Sequence, residues 1–367
     1  ETVAINFVTD KVVKEVYVQY RKRSHGSSKH WNNATQLKAD TSYFQVAYGE
    51  NMADSHYRVL ASHEVTLNDL LKGKEYEYRF GITSKGPWSE PYTFNTSPAS
   101  KETIMYVMGD LEVPEGSPDD FELFNNMLDV LRKEHPNGNL MIQVGDLVEN
   151  GGHIDAWNDV FEYIYKDLNL ISAPIVGDRE RVTDRKLGGF TGFFNVPKNG
   201  GGTLKETNYS FDYGDVHVAV MNSILDFDAQ LDWLEEDMRG TNKKWKIVMG
   251  HYPYYGGHHS DETGMDIRRI KLSRKLEQLG VSLYIGGHDH VYKRTTIRDG
   301  EKDTSVEAMN LGPTFVTVGS SGPIFYEDQS FEWDHIVYDD NKQTGVVLVA
   351  DDSSLTLKAY NNDGEEI

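Results

Sequence analysis

Runs of apolar and aromatic residues, broken by polar turns, dominate the first hundred positions: 16–20, 43–48, 56–60 and 76–82. No helical period appears among them, so the spacing predicts an all-β sandwich. From Thr103 the pattern changes to strand-like runs alternating with segments whose apolar residues recur every three to four positions. Residues 119–133 carry Phe121, Phe124, Leu128 and Leu131 in that spacing, with Pro118 where a helix can begin. Residues 154–168 carry Trp157, Phe161, Ile164 and Leu168, and 230–238 and 266–279 read as further helices. The alternation implies βαβ units. Residues 208–222 read as two strands across a Gly-Asp turn, and 314–318, 345–350 and 355–360 return to strands. The expected fold class is therefore α/β, two facing sheets with helices outside, preceded by the β-sandwich. The expected domains are 1–98 and 102–367, with residues 97–101 as the linker.

Five apolar segments of the larger part end in glycine followed by a metal-ligand type. Residues 104–108 run into Gly109-Asp110-Leu111-Glu112, and 140–144 into Gly145-Asp146-Leu147-Val148-Glu149-Asn150. Residues 174–176 meet Gly177-Asp178-Arg179-Glu180, and 246–249 meet Gly250-His251-Tyr252-Pro253. The run 281–285 meets Gly286-Gly287-His288-Asp289-His290. One Gly-Asp at a strand end is an ordinary turn. Five in series, in a fold whose ligands collect beyond the carboxyl ends of its strands, predict one metal-centred site. His288 and His290 stand two apart, and in an extended segment such residues point the same way.

Composition narrows the chemistry. The chain of 367 residues contains no cysteine, so a metal must be held by imidazoles and carboxylates. A formal net charge of -21 argues against a double-stranded nucleic-acid or anionic-membrane binder, whose footprint would be basic. No apolar run approaches the roughly 20 residues of a membrane-spanning helix. The chain starts Glu1-Thr2-Val3 without Met or a signal-type apolar core, and an extracellular or cell-surface location is the expectation.

The order GD, GDxxxN, G(N/D)xE, GHxP, GHDH resembles the calcineurin-like metallophosphoesterases, and in particular the purple acid phosphatase branch with an N-terminal fibronectin type III-like domain. Residues 70–79, LLKGKEYEYR, are similar to the tyrosine-corner stretch of such domains, with Tyr76 at the corner in a packing role. The resemblance implies a four-layer αββα sandwich and a dinuclear site. Asp110, Asp146 and His290 would hold one metal; Asp146, Asp178, His251 and His288 would hold the other. Two divalent or mixed-valence ions are implied, Mn, Fe or Zn, with Mg or Ca possible. The implied activity is hydrolysis of phosphate mono- or diesters by metal-activated hydroxide, on a small phosphoester or a nucleotide.

Three positions depart from the family pattern. Glu112 stands where the wider family has His or Gln, and would offer a harder oxygen ligand or turn away. Asp178-Arg179 replaces an Asn-His pair. Arginine cannot exchange a proton near neutral pH, although it can clamp a phosphate with paired donors. Glu149 sits where the tyrosine that colours purple acid phosphatases would fall, so a ferric-tyrosinate centre is not expected. Catalytic roles are thus expected for Asp178, Arg179 and His251, with His153, His258 and His259 as candidates to replace the missing histidine. Asn150, Glu149, Tyr252 and Tyr292 would support the ligands or touch substrate. Tyr254, Tyr255, Lys293 and Arg294 would complete an aromatic and basic rim, and the glycine-rich stretches 199–202 and 256–259 would form loops bordering it. The alternative reading is a catalytically impaired pseudo-phosphatase acting as a binding or structural protein.

Overall fold

The computed structural model describes residues 1–23, 31–48, 56–166, 168–203, 205–259 and 264–367. The first seven strands form two antiparallel sheets. One contains Val3–Asp10, His56–Leu67 and Asp40–Tyr48. The other runs Thr35–Lys38, Tyr17–Lys22, Glu75–Gly81, Tyr92–Asn95. Because successive side chains of a strand face opposite ways, Val18, Val65, Leu67, Tyr76 and Phe94 meet in a shared apolar core. The Tyr76 hydroxyl accepts a hydrogen bond from the Leu71 N–H at 3.0 Å, a tyrosine-corner bond beyond the packing role expected for it.

Two larger sheets follow. The five-stranded sheet has the order Ile171–Pro174, Leu140–Gln143, Thr103–Met108, Thr344–Ala350, Leu355–Asn361. Its first three strands are parallel. Thr103–Met108 and Leu140–Gln143 are buried along their whole length, as strands covered on both faces must be. The eight-stranded sheet runs Tyr209–Tyr213, Val216–Val220, Trp245–Met249, Leu283–Gly286, Thr314–Thr317, Tyr292–Arg298, Glu301–Lys302, and Ile336–Tyr338 also pairs with Tyr292–Arg298. Val107 and Ile142 of the first sheet share one core with Val218, Ile247 and Ile285 of the second, so the sheets pack face to face. Helix Phe121–Glu134 covers the five-stranded sheet through Phe124, Leu128 and Leu131. Helices Phe227–Gly240 and Met265–Leu279 cover the other through Leu231, Leu234, Leu272 and Leu276.

Strand Tyr292–Arg298 and helix Val306–Leu311 were not anticipated, and two further elements differ from the sequence reading. The helix expected over 154–168 is an α-helix only at Ile154–Val160 and then widens into a π-turn at Phe161–Tyr165. Asp167 lies outside the described residues. The wide turn carries Phe161 into a cluster with Phe193 and Phe194, at ring distances of 5.3 and 5.9 Å. The second element, helix Gly188–Phe193, was hidden by its glycines, which disfavour helix. It forms where the first module docks: a Cβ on Gly192 would lie 2.4 Å from the Phe44 ring. Asn6 Nδ2 donates to Gly192 O at 2.9 Å and the Ala47 N–H to Gly152 O at 2.7 Å.

Candidate metal centre

One sheet delivers carboxylates and the other delivers imidazoles. Met108, Gln143 and Pro174 stand level at the ends of three neighbouring parallel strands, and the loops beyond them carry Asp110, Asp146 and Asp178. Met249 stands level with Ile285, and the loops beyond these carry His251, His288 and His290. The two sets meet at the carboxyl ends of both sheets. His251 Nε2 lies 3.0 Å from Asp178 Oδ1 and 3.2 Å from Asp146 Oδ2, and His288 Nδ1 lies 3.0 Å from Asp178 Oδ1. Ligand atoms of Asp146, Asp178, His251 and His288 all fall within 4.8 Å of one another. Beside them, His290 Nε2 lies 3.8 Å from Asp110 Oδ1 and 3.7 Å from Glu112 Oε2.

The backbone is bent to achieve this. Asp110, Glu112, Asp146, His288 and His290 have φ of 53°, 35°, 52°, 70° and 56°, five of the thirteen left-handed non-glycine residues among those described. Each costs about 1–3 kcal/mol, and such outliers concentrate at functional sites. The expectation that His288 and His290 share one face of an extended segment is therefore corrected. Both are left-handed, so their rings diverge, His288 toward Asp178 and His290 toward Asp110 and Glu112. Glycine is required at two close approaches: a Cβ on Gly177 would lie 2.0 Å from Asp146 Oδ1, and one on Gly287 2.5 Å from Asp110 Oδ2.

Ring orientation is fixed from behind. His251 Nδ1 bonds the Val144 carbonyl at 2.8 Å and His290 Nδ1 the Ile324 carbonyl at 2.8 Å, which leaves each Nε2 for coordination, the usual outer support of a ligating histidine. Burial pushes the His290 imidazole down to about 4, keeping it neutral. Burial also raises the Asp110 and Asp146 carboxyls. It works the same way on Asp178, but hydrogen bonds from His251 and His288 hold that group well below the usual carboxylate range. Asp110, Glu112, Asp146 and His251 are buried, and Asp110 Oδ2 and Glu112 Oε2 have no hydrogen-bond partner. Unpaired buried carboxylate oxygens are costly. The donor set, carboxylate oxygens and imidazole nitrogens with orphaned atoms among them, fits a pair of cations.

The remaining predicted residues divide. Arg179 donates from Nε to Glu112 Oε1 at 2.6 Å and from Nη1 to Glu149 Oε1 at 3.4 Å, and its backbone N–H donates to Asp146 Oδ1 at 2.9 Å. Burial opposes its charge, yet Glu112 and then Glu149 hold the guanidinium above its ordinary value. Glu112 thus faces inward and does not turn away. Asn150 accepts from the Gly152 N–H at 3.1 Å and from Thr183 Oγ1 at 2.5 Å, so it caps the following turn. Tyr252 lies 4.7 Å from the His288 ring. The rim needs correction: Tyr254, Tyr255, Tyr292 and Lys293 are all buried. Tyr292 joins the inter-sheet core, and Lys293 is paired with Asp328 and Asp334 at 2.7 Å. Residues 199–202 do not border the centre; Asn199 is tied to Ser210 and accepts from Trp233 Nε1.

His259 is half-buried beside the centre. Its ring lies 4.2 Å from His288 and its Nδ1 3.0 Å from Asp289 Oδ1, with His258 4.6 Å away. His153 sits instead at the module contact, bridged to Ala47. Three contributors escaped the sequence reading. The Glu180 carboxylate accepts from the backbone N–H groups of Gly177, Asp146 and Leu147 at 2.6, 2.9 and 2.8 Å, fastening two ligand loops together. Ser223 Oγ accepts from the N–H groups of His251 and Tyr252. Tyr326 stacks on His290 at 4.3 Å and on His258 at 4.7 Å. Its only sequence signal was the Gly-Ser-Ser-Gly-Pro turn after a strand, which carries no ligand type.

A fold with carboxylates on one sheet edge and imidazoles on the other, closing on a buried acidic pocket, defines a metallophosphoesterase. Residues 105–292 match the calcineurin-like phosphoesterase family, and the chain belongs to it. Residues 1–96 match the purple acid phosphatase N-terminal domain, which makes the chain purple acid phosphatase-like. It is 23% identical to purple acid phosphatase 18 of Arabidopsis thaliana over 91% of this chain and 75% of that protein. It is 22% identical to the Fe(3+)-Zn(2+) purple acid phosphatase 12 of the same plant over 71% and 59%. The purple acid phosphatase PPD1 from yellow lupin seeds shares the fold, with a TM-score of 0.79 at 18% identity over 100% of this chain and 71% of that one. Family and donor set together imply a dinuclear metal site. Among the described residues no helix is long and apolar enough to cross a membrane.

Proposed function

We propose that this chain hydrolyses phosphate mono- or diesters at a two-cation centre. Asp110, Glu112, Asp146 and His290 would hold one ion and Asp146, Asp178, His251 and His288 the other, with Asp146 shared. The ions are drawn from Mn, Fe and Zn, with Mg or Ca admissible. Residues 1–98 and 102–367 are the corresponding domains, and the setting is extracellular or cell-surface, which fractionation of the host checks. The single observation that carries the reading is the convergence of Asp146, Asp178, His251 and His288 within 4.8 Å.

Cations bound there supply Lewis acidity and lower the pKa of a water, which dispenses with a protein nucleophile. This chain's own residues do the rest. His258, His259 and Tyr252 border the centre and would donate hydrogen bonds to phosphoryl oxygens and the leaving group. Arg179 keeps its proton, so it contributes positive charge rather than acid catalysis, a loss of roughly 10²–10⁴-fold where leaving groups need a proton. Esters with good leaving groups are therefore the favoured substrates, including small aryl phosphates, nucleotides and diesters.

The engagement of Arg179 by two glutamates favours a second reading, a pseudo-phosphatase that binds without turning over. Turnover of an aryl phosphomonoester and an aryl phosphodiester, measured on chelator-stripped protein reloaded with Mn, Zn, Fe or Ca, separates the two. Metal-dependent turnover is expected. Protein carrying two equivalents without turnover, and not rescued by Asp178→Asn with Arg179→His, would establish the binding protein.

A further inference from the structure

The three departures from the family pattern, Glu112, Glu149 and Arg179, lie far apart in the chain, and in the fold both glutamates meet Arg179. Arg179 Nε bonds Glu112 Oε1 at 2.6 Å, and Arg179 Nη1 bonds Glu149 Oε1 at 3.4 Å. Each glutamate gives one oxygen to the guanidinium. The other oxygen of each, Glu112 Oε2 and Glu149 Oε2, is buried with no hydrogen-bond partner, as is Asp110 Oδ2. Orphaned carboxylate oxygens on Asp110 and Glu112 beside His290, with a third on Glu149 across Arg179, are a standing penalty. A cation relieves it.

We propose that Glu112, Glu149 and Arg179 form one unit that converts the Asp110–His290 position into an oxygen-rich site selecting a hard divalent cation, Mn²⁺, Ca²⁺ or Mg²⁺. This rests on the two-cation reading above. The donors at this position are the carboxylates of Asp110, Glu112 and Asp146 with a single imidazole, His290, and Glu149, held through Arg179, is the further oxygen the proposal assigns. The neighbouring position has two imidazoles among four donors, His251 and His288 with Asp146 and Asp178. Carboxylate sets suit Mg²⁺, Ca²⁺ and Mn²⁺, whereas imidazole suits zinc and iron. The two positions thus differ in hardness, and a mixed load follows with the hard ion beside Glu112.

Arg179 is a positioning residue in this arrangement. Its planar fork holds both glutamates by Oε1, so that each Oε2 stays turned away from the guanidinium, and its charge offsets part of the negative charge the two glutamates add. It is thereby committed to the protein, which explains why a residue that could clamp phosphate is tied to two acids.

The test uses the full chain, stripped with chelator and dialysed against zinc and manganese, or zinc and calcium, together. Bound metal is counted by plasma mass spectrometry and affinities by calorimetry. The wild type is expected to hold one zinc and one Mn²⁺ or Ca²⁺. Glu112→Gln with Glu149→Gln, which preserves shape, should weaken Mn²⁺ and Ca²⁺ by about 10–100-fold while leaving the zinc equivalent in place. Arg179→Met should weaken the same ion and spare zinc. Glu149→Tyr gives a readout independent of affinity: loaded with ferric iron it should gain a visible tyrosinate charge-transfer band that the wild type lacks. A folded, iron-loaded Glu149→Tyr protein without colour would place residue 149 outside the coordination sphere and overturn the proposal. So would Mn²⁺ and Ca²⁺ affinities unchanged in the double glutamine variant. A wild type that binds no cation would instead defeat the two-cation reading itself.

Discussion

In one half of the centre, Asp146, Asp178, His251 and His288 already bring their ligand atoms within 4.8 Å of one another. In the other half, His290 Nε2 stands 3.8 Å from Asp110 Oδ1 and 3.7 Å from Glu112 Oε2, and a guanidinium holds Glu112 from the side. The first half rests on rigid supports: Val144 carbonyl behind His251, Ser223 under its backbone, and Glu180 tying the Asp146 and Asp178 loops. In the second half the Ile324 carbonyl backs His290 in the same way, but Glu112 depends on the Arg179 side chain. The contrast shows how a fold can anchor one cation position on backbone supports and vary the other by exchanging three loop residues, while the halves stay linked through the Arg179 N–H on Asp146 Oδ1 and the His288 N–H on Asp110 Oδ1.

Removing Asp146, the proposed shared ligand, should break both halves at once. Asp146→Asn is expected to lower turnover by at least about a thousandfold, since the ions supply several kcal/mol of transition-state stabilisation at about 1.4 kcal/mol per tenfold. Steady-state kinetics and metal counting check this, and a variant retaining both ions would remove Asp146 from the shared position. His288→Ala should separate the halves: zinc falls by about one equivalent while manganese bound beside Glu112 remains. Loss of both ions would show that the positions are not independent.

Glu180→Gln tests the support rather than the ligands. One acceptor oxygen becomes a donor facing backbone N–H groups, and zinc affinity by calorimetry should drop about 10–100-fold, with a smaller change at the other position. The least effect is expected from Tyr326→Leu. Its ring stacks on His290 alone among the ligands, and losing about 0.5–1.5 kcal/mol of aromatic contact should weaken manganese roughly two- to tenfold and leave zinc unmoved.

Much of this centre was readable because its signal is local. An apolar run, a glycine and a ligand type mark a strand end in any α/β sheet, and all five such ends bring their ligands to the same pocket. Alternating runs likewise announced the N-terminal sheets. What could not be read depends on direction and on distance along the chain. Tyr254, Tyr255 and Tyr292 follow the histidines in sequence but turn into the core, because a loop leaving a strand has no fixed period. Tyr326 reaches His290 from another strand end without any ligand type to flag it. Arg179 appeared as a lost proton donor, and only the fold shows that its partners are the other two unusual residues. The helix Gly188–Phe193 was unreadable because its stability comes from Phe44 of the other module packing over Gly192, and not from its own propensity.

The most direct measurement is anomalous diffraction from crystals soaked in manganese and zinc, recorded at both absorption edges. Two peaks roughly 3.5–4 Å apart are predicted, one zinc-weighted between Asp178, His251 and His288, the other manganese-weighted between Asp110, Glu112 and His290, with Asp146 touching both. Density for no ion, or for ions bound away from these side chains, would contradict the account.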